Sequence, residues 1–302
     1  MAATQRHPKE PRAGQEESPS TPSIDVRAIG VRAPKVAGRY YPADPSELRR
    51  AVQALVPSHP ADRALGLVVP HGPLSYCGAI AAAAFRRMAV DETVVILAPN
   101  HAARGPRAAI VSEGAFAIPG AVVPIDERLA ESIRALGGLS DAANVFDEEH
   151  AVEAILPLLV GARPRVSIVP IALHDISPIS AARIGSAIAD AIVGRGGGVT
   201  VVATTDLVHY VDPAALDEIC LPLLGRIAAL DEDGVLAITR AMENGPGPIL
   251  EMCGLGALLT AMHALRALGA NVGEICARGS SCEVDGKRAF AVGYGALAFA
   301  AR

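Results

Sequence analysis

The 302-residue chain contains no Trp, and aromatic residues make up only 3% of it. Its core must therefore be aliphatic. A secretory-type apolar leader is also missing, because the opening "MAATQRHPKEPRAGQEESPSTPS" is rich in Pro, Ser and charge. Residues 1–33 read as a disordered tail, and residues 34–302 as one domain. No apolar stretch runs to membrane-spanning length without a charge, Gly or Pro, which argues against a transmembrane segment. Positive charge is not in excess either: Lys+Arg number 27 against 32 Asp+Glu, for a net charge of -5. This leaves no electrostatic footprint for nucleic acid and no basic run for a membrane surface. The five Cys are scattered, odd in number and without C-x-x-C spacing. They do not support a structural zinc knot and fit reduced thiols in a cytoplasm. A phosphate-binding loop is absent too, since "GRGGGVT" precedes a strand instead of opening a helix.

What is present is an alternation of apolar strands and helices. Strands are expected at "LGLVVP" (65–70), "TVVILAP" (93–99), "AAIVS" (108–112), "VSIVPIAL" (166–173) and "VTVVATTD" (199–206). Helices are expected at 46–55, capped by Asp44 or Ser46, and at 78–88, 126–136, 148–160, 180–193, 214–230 and 253–269. Two further strands are expected near 272–278 and 288–299. Unbroken β-branched runs between helices indicate a single α/β domain whose central, mostly parallel or mixed sheet is covered on both faces.

Three strands end in chemistry. "LGLVVP" leads into His71, "TVVILAPN" into His101, and "VTVVATT" into Asp206, with His209 three residues on. Ligands of open α/β sheets sit beyond the carboxyl ends of strands, so these side chains are expected to converge on one pocket. Neutral imidazoles with an anionic partner hold Fe, Zn or Cu. The anion is either Asp206 or the thiolate of Cys253 in "EMCGLG", where a helix N-terminus would lower the thiol pKa. Each residue taken singly has a structural reading: a loop His bonded to a carbonyl, an Asp capping a turn, a Cys filling space. "FDEEHAVEAILP" is either a charged helix start or a pocket wall, in which His150 faces the site and Glu149 or Glu153 orients an imidazole. His7, His59, His174 and His263 read as exposed or structural.

In order, "PKVAGRYYPADPSEL", "VVPHGPLSYCG", "ILAPNH", "EEHAVEAILPLL", "TTDLVHY", "MCGLGALL" and "FAVGYGALAF" resemble segments of the MEMO-like family, whose prokaryotic members are named AmmeMemoRadiSam system protein B. The resemblance implies a fold similar to class III extradiol dioxygenases. It places metal ligands on His71, His101 and Cys253, with Fe(II) or Cu(I) as the ion. Asp206 and His209 would be an acid–base pair, with Glu149 and His150 bordering a small molecule or peptide. The implied partners are an AMMECR-type domain protein and a radical SAM protein. The implied activity is that of a metal-dependent oxidoreductase, the alternative being a non-catalytic metal- or peptide-binding module. The chain departs from the family's usual pattern at Leu74, Cys77 and Ala151, which alters the pocket lining but not the proposed ligands.

Overall fold

A computed structural model describes residues 30–56, 60, 62–244, 251–286 and 290–301. The expected tail through residue 29 lies outside the described residues, as do His7 and His59. Val31–Arg32, assigned on sequence to the tail, instead form a short strand parallel to Ala115–Ile118. Two residues are too few to show an apolar period. They are held by the Arg32 guanidinium, which reaches the buried Glu153 carboxylate at 2.6 Å and the Glu149 carbonyl at 2.7 Å.

Four strands make the centre of the main sheet. Gly66–Val69, Val199–Thr204, Thr93–Pro99 and Ser167–Leu173 lie side by side in that order, all parallel. All residues of the first three are buried, which is why they read as uninterrupted apolar runs rather than alternating ones. Ala108–Ile110 pairs antiparallel beyond Ser167–Leu173, and Ala291–Ala301 antiparallel beyond Gly66–Val69. The sheet is therefore mixed. Ala270–Ser280 and Val208–Val211 both pair antiparallel with Ala291–Ala301. A separate small sheet joins Val31–Arg32, Ala115–Ile118 and Ala121–Pro124.

Two helix groups pack on the same central strands. Ala151–Ala162 lies with Pro45–Leu55 and Leu74–Arg87; Leu255–Ala267 lies with Pro178–Arg195, which in turn carries Glu127–Gly137. The two groups cover opposite faces, giving the α/β layering expected. Asp44 caps the first helix, accepting from the amides of Ser46 and Glu47 at 2.9 Å. Leu74–Arg87 begins four residues before the expected 78, immediately after Pro73. Glu232–Glu243, capped by Asp231, was not expected, because Gly234 and Thr239 weaken its helical signal. No helix among the described residues is long and apolar enough to cross a membrane.

Candidate metal centre

Strand register brings the site together. Val69 is paired with Thr204, and Leu97 with Ala203, so three neighbouring parallel strands end at nearly one level. The chain then continues into Pro70–His71, Thr205–Asp206 and Asn100–His101. These side chains emerge next to one another at the carboxyl edge of the sheet.

One side of the site is built on His71, which is 2% exposed. Its Nδ1 lies 2.9 Å from Thr204 Oγ1, and its Nε2 lies 3.4 Å from Cys253 Sγ. The His71 amide donates to Asp206 Oδ1 at 3.3 Å, and the Asp206 amide donates to Cys253 Sγ at 3.3 Å. Asp206 Oδ2 is 3.2 Å from His209 Nε2. His71, Asp206 and Cys253 thus offer ligand atoms within 4.8 Å of one another.

The other side is built on Glu149, which is only 3% exposed. Its Oε2 accepts from the His101 amide at 2.7 Å, while Oε1 accepts from His101 Nδ1 at 3.0 Å. Oε1 also accepts from the amides of His150 and Ala151 at 2.7 and 2.8 Å. The rings of His101 and His150 are stacked at 4.7 Å, and Tyr40 Oη lies 3.2 Å from His150 Nε2. His71, His101 and His150 form a second group of ligand atoms within 4.8 Å of one another. Among the described residues no such group holds both His101 and Cys253. His71 is the hinge between the two sets.

Burial dominates the electrostatics. It pushes the His71 pKa down to about 4 against the pull of Asp206, which leaves a neutral imidazole with a lone pair free for an ion. It also lowers the pKa of His150. For Glu149, burial would raise the pKa, but hydrogen bonding and attraction from His101, together with the Ala151 and His101 amides, bring it down to about 2. Asp206 is held below the ordinary carboxylate range in the same way, by His71 and His209 acting against burial.

Cys253 corrects the sequence-based expectation of a lowered thiol pKa. The helix starts at Leu255 with Gly254 as its cap, so the sulfur sits ahead of the first turn. Burial, reinforced by the Asp206 charge, pushes the thiol up to about 12. A bound cation inverts this balance, because a coordinating thiol is deprotonated by the ion itself. The donor set of imidazole, sulfur and carboxylate oxygen suits such an ion, with the far nitrogens of His71 and His101 already occupied by Thr204 and Glu149.

Glu149 does not border open space as a substrate contact would; its oxygens are taken up by His101 and by backbone amides. Glu153 turns the other way, to Arg32, Tyr41 and the amides of Lys35 and Val36. Sequence reasoning missed Thr204, Thr205 and Tyr40. The doubled hydroxyl at the end of an apolar strand in "VVATTD" was the available signal.

The Memo-like protein family pattern matches residues 32–298. A MEMO1 family protein of Methanopyrus kandleri is 32% identical over 286 residues, covering 89% of this chain and 98% of the relative. Another, from Methanothermobacter thermautotrophicus, is 30% identical over 281 residues, covering 88% of this chain and 99% of the relative. The crystal structure of an uncharacterized protein from Escherichia coli K12 overlaps 77% of this chain and 98% of its own length, with a TM-score of 0.47 and 14% identity.

Proposed function

Since the chain belongs to the Memo-like family, we propose that it is a metal-dependent oxidoreductase whose ion is held by His71, His101 and Cys253, with Asp206 alongside, the partly exposed His101 ring closing on the ion from a position wider than direct ligation spans. The observation that carries this reading is the approach of His71 Nε2 to Cys253 Sγ at 3.4 Å, across 182 positions of sequence. Two ligand-bearing groups that far apart are brought together only by the completed fold. The ion is Fe(II) or Cu(I): imidazole serves both, and a thiolate favours the softer one. When bound, it would supply redox chemistry of the kind used by class III extradiol dioxygenases. His209, tethered through Nε2 to Asp206, would hold or release a proton at the reacting group. Glu149 would fix His101 rather than touch substrate. We place this activity in the cytoplasm, where the free thiols stay reduced.

Metal analysis of anaerobically purified protein tests the proposal. One equivalent of iron or copper is expected in the wild type, with loss of it in His71→Ala and Cys253→Ser. Metal-free wild-type protein that takes up neither ion on reconstitution would overturn it.

The burial of Glu149 favours a second reading, since it removes the carboxylate expected to face a substrate. On that reading the pocket is a binding module that works with an AMMECR-type domain protein and a radical SAM protein. Copurification of wild type and His71→Ala with a radical SAM partner separates the two: association that survives metal loss supports the module.

A further inference from the structure

Thr204 and Thr205 join two arms of the site that are remote in sequence. Both side chains are completely buried. The strand ends at Thr204, and successive residues of an extended chain face opposite sides, so the two hydroxyls reach different neighbours. Thr204 Oγ1 meets His71 Nδ1 at 2.9 Å. Thr205 Oγ1 accepts from the Gly254 amide at 3.0 Å, donates to the Asp206 carbonyl at 2.8 Å and lies 3.9 Å from Cys253 Sγ. The turn carrying Cys253 is seated directly on this pair. A Cβ at Gly254 would come within 2.6 Å of Thr205 Cβ and 2.7 Å of the Thr204 carbonyl, so only glycine permits the approach.

The hydroxyl also bears on the imidazole. A neutral histidine carries one ring proton, and the bond made by one nitrogen decides which atom bears it. Thr204 Oγ1 can accept from Nδ1–H, which leaves the Nε2 lone pair on the side of Cys253, or donate to a bare Nδ1. With the proton on Nε2, that atom could not ligate. We propose that Thr204 and Thr205 are positioning residues: Thr204 acts as the acceptor and so holds His71 in the Nδ1–H tautomer, and Thr205 sets the reach of the Cys253 sulfur toward it. This rests on the metal reading above, and extends it to two residues that do not themselves hold the ion.

The test compares Thr204→Val, Thr204→Ser, Thr205→Val and wild type. Nitrogen-15 NMR of the metal-free proteins reads the His71 tautomer, and Co(II) titration reads affinity and the thiolate-to-metal charge-transfer absorption. The wild type is expected in the Nδ1–H form. Thr204→Val should lose that preference and bind Co(II) about 10- to 100-fold more weakly, with Thr204→Ser restoring both. Thr205→Val should keep the tautomer but weaken the thiolate absorption. An Nε2–H wild type, or a wild-type tautomer and affinity in Thr204→Val, would overturn the Thr204 half, and an unchanged thiolate band in Thr205→Val the Thr205 half. Failure of wild type to bind Co(II) counts against the metal reading instead, while the metal-free tautomer comparison still decides the role of Thr204.

Discussion

The two sides of the pocket hold their imidazoles by different physics. His71 is enclosed and hangs from a neutral hydroxyl, whereas the side chain of His101 is 33% exposed and is gripped by a carboxylate. A hydroxyl fixes orientation without adding charge. A carboxylate fixes orientation and also raises the ring's basicity as a ligand. Burial prepares one imidazole, then, and charge prepares the other.

Removing a ligand should have the largest effect and should not discriminate between the sides: metal content is expected to fall below detection in His71→Ala and in His101→Ala, measured after anaerobic purification. Retention in His101→Ala would leave the Cys253 side as the whole site. Glu149→Gln sharpens the contrast. It removes the charge that several donors share, and hydrogen bonds to charged groups are worth about 1.5–3 kcal/mol each. A loss of that order in urea unfolding is expected, with metal affinity about 10- to 100-fold weaker.

Acid should separate the sides by window. The folded pKa of His71 lies near 4, below its unfolded value of 6.5, so protonation of the unfolded chain erodes stability as pH falls between those values. Glu149 has a folded pKa near 2 against 4.5, so its contribution is intact above 4.5 and is lost as pH falls toward 2. Each step amounts to about 3 kcal/mol. Urea midpoints followed from pH 8 to 2 should show both losses, with only the upper one missing in His71→Asn. The smallest effect belongs to Tyr40→Phe, which deletes one partly exposed bond to His150; about 0.5–1.5 kcal/mol is expected from thermal unfolding, with metal binding unchanged.

The strand-end histidines were legible because a fully buried strand leaves an unbroken apolar run, and the residue after it is presented at the sheet edge. Cys253 was found by type, but its protonation was misjudged: a helix start visible in sequence says nothing of how deeply the thiol is enclosed. Glu149 and Glu153 look equivalent in "EEHAVE" and have opposite fates: Glu149, just ahead of the helix, turns to His101, and Glu153, in its first turn, to Arg32. Only the path of residues 31–36, which have no periodic signal, decides between them. The threonine pair shows in sequence as a doubled hydroxyl after an apolar strand, but its role does not, since its partners lie 133 and 49 positions away.

The strand Ala291–Ala301 flanks Gly66–Val69, the strand that delivers His71. During synthesis from the N-terminus, the strand leading into His71 therefore gains this neighbour only after some 220 further residues have been made. An ion held as proposed would therefore meet its complete strand frame only once this last strand has paired.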